Sequence, residues 1–179
     1  MNVKKYIGLI IILFLVGCNS LSNTPTRKVE IMFSKYQTLD EKVLIDLDNS
    51  IKEEGTFSVE QTKKYKDIMK NQFSNLIYII KDERIDGVDA VVEVEITVMD
   101  YGKILKNTEK YRKDNMDKFT MNGEYNPELF TNYKLDKLKN VKDKIAYTLD
   151  ISLSKKNDIW KIDALKNIDK DKISGVYEN

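Results

Sequence analysis

From Ile145 to Leu153 the chain alternates: Ile145, Tyr147, Leu149, Ile151 and Leu153 are apolar, and Lys144, Thr148, Asp150 and Ser152 fall between or beside them. A period of two is the signature of a strand with one buried and one wet face. A one-residue slip would turn the whole apolar set into water, so this segment fixes its own register. The same pattern runs through Ala90, Val92, Val94, Ile96 and Val98, with Glu93, Glu95 and Thr97 on the other side. Ile77–Ile85 and Ala90–Tyr101 flank Asp86-Gly87-Val88-Asp89, a hairpin signal. A second hairpin turns at Lys156-Asn157-Asp158, and Trp160, Ile162 and Ala164 form the buried face of its return strand.

Two hairpins with one apolar face each need a cover, and the segments before and between them have helical period. Thr24-Pro25 is a capping residue followed by proline, a helix start. Val29, Met32, Phe33 and Tyr36 then recur on one helical face. Leu44, Leu47 and Ile51 continue that spacing up to Gly55. Ser58-Val59-Glu60-Gln61 is a capping-box pattern, followed by Tyr65, Ile68, Met69, Gln72, Phe73 and Leu76. Between the hairpins, Lys103–Phe119 is polar and helix-compatible, with Ile104, Thr108, Tyr111 and Phe119 on one side. Asn126-Pro127 starts another helix, leading to Phe130, Tyr133, Leu138 and Val141. These elements predict an α+β domain, in which N-terminal helices pack on a curved antiparallel sheet built from two hairpins.

The first 17 residues do not belong to that domain. Lys4 and Lys5 precede an apolar run of 11 residues, Tyr6 to Val16. A bilayer span needs about 20 apolar residues, whereas this run has the length of a signal-peptide core. Leu15-Val16-Gly17-Cys18 resembles the lipobox of bacterial lipoproteins. The resemblance implies signal-peptidase recognition of Leu15, Val16 and Gly17. It implies a diacylglyceryl thioether on Cys18, palmitate-like chains, and cleavage before that cysteine. The expected organisation is therefore a signal peptide over residues 1–17, a lipidated tether over 18–24 and a single domain over 25–179. The protein would be held on the extracytoplasmic face of the cell membrane by its lipid. Two acyl chains anchor stably where one does not.

Across the mature chain, Thr24-Pro25-Thr26, Lys35-Tyr36, Met69-Lys70-Asn71-Gln72-Phe73, Lys81-Asp82-Glu83, Tyr147-Thr148, Trp160-Lys161-Ile162 and Lys172-Ile173-Ser174-Gly175-Val176-Tyr177 resemble a family of lipoproteins from low-GC Gram-positive bacteria, to which no role is attached. That resemblance implies the cystatin-like cone of the nuclear transport factor 2 superfamily. The cone hosts enzymes and plain binding modules alike, so it leaves function open.

Composition removes several chemistries. The chain has no histidine, the commonest general base and metal ligand. Its one cysteine lies in the targeting segment, so the domain has no thiol nucleophile, disulfide or thiolate zinc site. Lys4 and Lys5 leave with the leader, so 28 basic residues face 29 acidic ones, a formal charge of −1. With signs interspersed, no basic field exists for nucleic acid. Asp82 to Glu93 approaches a calcium-loop pattern, but Arg84 puts a cation where a ligand oxygen belongs. No metal or cofactor is expected. Asp100, at the end of the apolar face of its strand, is the one carboxylate placed for burial. It reads either as an acid–base group or, more simply, as the cap of the following helix. The tyrosines Tyr36, Tyr65 and Tyr147 fall at core spacing.

The reading that follows is a membrane-anchored, non-enzymatic domain that binds a ligand or protein partner outside the membrane, without catalytic residues. The alternatives are a carboxylate-based hydrolase of wall or surface polymer, which a deep polar pocket with two carboxylates would favour, and an immunity or inhibitor protein.

Overall fold

The computed structural model describes residues 23–54 and 57–178. The leader, the lipobox Leu15-Val16-Gly17-Cys18, the first tether residues and Gly55 lie outside the described residues. Helix α1 (Pro25–Gln37) begins where Thr24 Oγ1 accepts a hydrogen bond from the Arg27 amide, with proline at the first helical position. It is followed by α2 (Glu41–Glu54) and α3 (Val59–Ser74). The capping box of α3 is closed in both directions: the Gln61 amide donates to Ser58 Oγ, and the Ser58 amide donates to Gln61 Oε1. Leu76 leads into β1 (Ile77–Asp86) and β2 (Asp89–Met99).

The two hairpins join into one antiparallel sheet of order β1-β2-β5-β6, with β5 at Lys144–Lys156 and β6 at Ile159–Ile162. Val94 pairs with Leu149 and Ile96 with Tyr147, so the two alternating segments found in the sequence face the same side. Both hairpins close through two-residue turns whose backbones take positive φ. Gly87 has φ 60° in one; Asn157 and Asp158 have 51° and 61° in the other, as tight hairpin turns require.

Helices α1 and α3, with α6 (Asn167–Ser174), cover one face of the sheet. Phe33, Met69, Leu76 and Ile173 pack against Val92, Val94, Ile96, Leu149, Ile151 and Leu153, all of them fully or almost fully buried. The covered face is therefore filled with side chains. The opposite face carries exposed Ala146, Thr148, Asp150 and Ser152. The β1 edge is interrupted by an irregularity between Ile80 and Asp82, in the run Lys81-Asp82-Glu83-Arg84. A bulge and charges are common guards of an open edge.

The structure departs from the sequence pattern in five places. Strand β2 stops at Met99, and Tyr101 opens α4 (Tyr101–Asp114), because Asp100 caps the helix instead of continuing the strand. Helix α4 ends at Asp114. A 3₁₀ turn (Met116–Phe119) and a small hairpin of β3 (Thr120–Met121) and β4 (Glu124–Tyr125) then lead to α5 (Pro127–Lys139). Strand β6 ends at Ile162 and Ala164 is exposed, since Asp163 turns away to hydrogen-bond Ser152 and Ser154. Helix α6 lacks a side-chain N-cap, so its start has no signal in the sequence. Finally, Asn23 and Thr24, expected as tether, belong to the fold. The Asn23 amide donates to the Asp158 carbonyl at 2.7 Å and accepts from the Trp160 amide at 3.1 Å.

The chain end is clamped onto the core. Gln72, fully buried, accepts from the Met99 amide at 2.9 Å and donates back to the Met99 carbonyl. Gly175 ends α6 at φ 73°, and a Cβ there would collide with the Gln72 side chain and the Met99 carbonyl. The Gly102 amide donates to the Gly175 carbonyl at 2.8 Å. The Tyr147 hydroxyl donates to the Tyr177 carbonyl at 3.3 Å.

Candidate functional site

Between α3 and α5 lies a cleft of about 590 Å³, within the size range of small-molecule sites. Helix α3 contributes Lys64, Asp67, Ile68 and Asn71, a spacing that keeps all four on one helical stripe, and its C-cap Asn75 follows. Helix α5 contributes Leu135, Asp136 and Lys139, and the following segment adds Val141, Lys142 and Lys144. Met99 and Tyr101, on either side of the Asp100 cap, complete it. Buried Ile68, Tyr101 and Leu135, with half-buried Met99 and Val141, make the interior apolar. The facing of α3 on α5 is fixed by Gln61, whose Nε2 donates to Asn132 Oδ1 at 3.0 Å and to the Glu128 carbonyl.

The rim is polar and asymmetric. Lys64 pairs with Glu60 at 3.4 Å and lies 4.0 Å from Asp136. Lys139, Lys142 and Lys144 are exposed and have no ion-pair partner among the described residues. Tyr101 donates its hydroxyl hydrogen to the Ile68 carbonyl at 3.4 Å. Burial pushes its phenol pKa above the ordinary tyrosine value, opposed by a hydrogen bond with Asn71. At neutral pH it is therefore a fixed neutral donor, not a base. Tyr101 and Leu135 also line a second cavity of about 280 Å³, with Phe57, Tyr65, Leu105, Leu138 and Val176. The cleft and this apolar cavity thus share two wall residues.

The carboxylate that the sequence singles out lies elsewhere. Asp100 Oδ1 accepts from the Lys103 amide at 3.1 Å, which is the capping role, and Asp100 does not line the cleft. The calcium-like segment is laid out along β1, with Asp82 paired opposite Glu93. In an extended strand, alternate residues stand nearly 7 Å apart, so the chain does not wrap a common centre. The Arg84 guanidinium lies 3.8 Å from Asp82 and 3.8 Å from Asp150. Of the core-spaced tyrosines, Tyr147 is buried, while Tyr36 and Tyr65 are half-buried and pack on Phe73 and Phe57.

Neither a family model nor a curated protein matches the chain. Among solved structures it is similar to a "putative lipoprotein" (ycdA) of Bacillus subtilis, at 13% identity and a TM-score of 0.43. The alignment covers 82% of this chain and 46% of that one, so this chain spans about half the length of that structure.

Sequence reasoning missed the cleft itself. Its basic residues Lys139, Lys142 and Lys144 look like ordinary solvated charges along the chain. Leu135, a buried wall residue, falls outside the Phe130–Tyr133–Leu138 pattern. The one local signal was Asn71, inside the Met69–Phe73 segment that carries the family likeness.

Proposed function

We propose that this chain is a membrane-anchored extracytoplasmic lipoprotein, held by lipid on Cys18, whose domain binds a small amphipathic anion in the α3–α5 cleft without catalysis. The observation that carries the ligand class is the pairing of an apolar interior with three unpaired lysines on one rim. An apolar body would displace water from the interior, and an acidic head would meet the ammonium groups. Support for the anchor comes from the cationic, apolar and lipobox segments in order. No helix among the described residues is long and apolar enough to cross a membrane. The domain would belong with the cystatin-like cone folds that the family likeness implies.

Asp67 and Asp136 line the same cleft, which is the composition a carboxylate hydrolase requires. Both are exposed on their helices, whereas a carboxyl acting as general acid near neutral pH needs burial to raise its pKa. Binding asks only for shape and complementary charge.

The anchor is tested by mass spectrometry of the mature protein: a diacylglyceryl Cys18 at the N-terminus is expected, and Cys18→Ser should leave the protein unlipidated. An unmodified Cys18 in the native protein would refute it. For the ligand, calorimetry of the mature protein with decyl phosphate, decanoate and decanol should show binding of the two anions and none of the alcohol. Replacing Lys142 and Lys144 by Glu should weaken it by about tenfold, ~1.4 kcal/mol, without changing the melting temperature. Equal binding of decanol, or no effect of the double substitution, would sink the assignment. Turnover of peptidoglycan, teichoic-acid or peptide substrates that Asp67→Asn abolishes would promote the hydrolase instead.

A further inference from the structure

We infer that the end of the sheet bearing both hairpin turns rests on the bilayer that holds the Cys18 lipid, so that the α3–α5 cleft lies at the end away from the membrane. This rests on the anchor proposed above and adds an orientation and a contact surface. Asn23 is fixed to the β5–β6 turn by its two hydrogen bonds to Asp158 and Trp160. Five residue steps separate Cys18 from Asn23, and a chain spans at most ~3.3–3.6 Å per residue. Lipid on Cys18 therefore holds this turn within about 18 Å of the membrane surface. The expected tether through Thr24 would have left more slack; the seating of Asn23 removes it.

The β1–β2 turn lies beside the β5–β6 turn, because the Lys155 amide donates to the Val88 carbonyl at 2.7 Å. On these two turns and the strand ends that enter them, three aliphatic residues stand in water: Ile85 at 54%, Val88 at 61% and Ile159 at 49% exposure. Exposed Arg84 and Lys156 flank them, and exposed Asp86, Asp89 and Asp158 leave this set of charges at a net −1. Anionic headgroups therefore give no net attraction, and the aliphatic side chains supply the contact. A weak contact suffices, because tethering makes it intramolecular at a high effective concentration. At the other end, β5 begins at Lys144 on the rim of the cleft and runs to Lys156 at the turn. At about 3.3 Å per residue, that strand separates the cleft from the membrane end by roughly 40 Å.

The test uses the full lipidated protein reconstituted in phosphatidylglycerol–cardiolipin vesicles. Val88→Cys and Lys142→Cys, both at exposed positions, are labelled separately with an environment-sensitive dye. The Cys18 sulfur, being a thioether, takes no label. The dye at position 88 should shift to the blue and be several-fold less quenched by aqueous iodide than the same dye on the unlipidated Cys18→Ser protein in solution. The dye at position 142 should be quenched equally in both. Equal quenching at the two positions on the vesicles, or protection at 142, overturns the orientation while leaving the anchor intact. If the wild-type protein does not float with the vesicles, or floats equally well as Cys18→Ser, the anchor reading fails and this inference with it.

Discussion

Leu149 sits on β5 opposite Val94, almost fully buried, in the middle of the sheet that joins both hairpins. Truncating it to Ala should cost about 2–5 kcal/mol, the lost transfer energy plus a cavity that rigid neighbours cannot fill. Chemical denaturation would read this directly, and a loss below about 0.5 kcal/mol would mean that the packing is looser than the fold implies. Gly175 is a different case, because its constraint is steric and conformational together. Its φ of 73° disfavours any Cβ, and the space that a Cβ would enter holds Gln72 and the Met99 carbonyl. Gly175→Ala should therefore destabilise by at least about 1–3 kcal/mol, more than positive φ alone costs at Gly87, where a Cβ meets nothing. Comparable losses for Gly87→Ala and Gly175→Ala in the same denaturation series would show that the clamp contributes nothing.

At the scale of elements, the boundary between β2 and α4 turns on one residue. Asp100 follows a run of alternating apolar residues, yet its side chain satisfies the Lys103 amide, one of the donors left open at a helix start. If that is its whole role, Asp100→Asn should be nearly neutral, since both residues cap well, and Asp100→Ala should cost about 0.5–2 kcal/mol. A large loss for the Asn variant would point to a need for the charge. The two-residue turns, the caps of α1, α3 and α5 and the faces of β2 and β5 were legible from local sequence. Helix α6 and the β3–β4 hairpin were not. Strands of two residues are too short to show a period, and α6 begins at Asn167 behind Lys166, whose side chain makes no cap.

For the whole molecule, the absence of histidine has a thermodynamic consequence. No side chain of this sequence has an ordinary pKa between about 5 and 8, so stability should be flat across that range. The departures lie outside it. Burial raises the phenol pKa of Tyr36, Tyr101 and Tyr147. The folded state thus keeps protons that the unfolded chain releases above about pH 10, and stability falls as pH rises beyond that point. At the acid end, the hydrogen bond and charge of Lys103, 2.8 Å away, hold the Asp143 carboxyl below its usual range. The stability it contributes is present above about pH 4 and is lost as pH falls; the pair is exposed, so that contribution is small. Urea midpoints measured from pH 3 to 11 should show a plateau with a shallow acid limb and a steeper alkaline one. Tyr36→Phe should soften the alkaline limb, and a transition near pH 6–7 would contradict the scheme.

Local sequence specifies the α+β class, the two hairpins, their turns and the buried faces of β2 and β5. Those properties follow from neighbours one to four residues apart, where period, caps and turn chemistry act. Tertiary structure decided what local pattern cannot encode. It joined Val94 to Leu149 across an inserted pair of helices, filled the covered sheet face with Phe33, Met69 and Ile173, and seated Asn23 on the β5–β6 turn. It also gathered Ile68, Tyr101, Leu135 and four lysines into one cleft. Each of those residues has an ordinary local role, as helix packing or solvated charge. Only the packing of α3 against α5, fixed by a hydrogen bond between Gln61 and Asn132, turns them into neighbours, because burial and electrostatic proximity depend on distance in space and not along the chain.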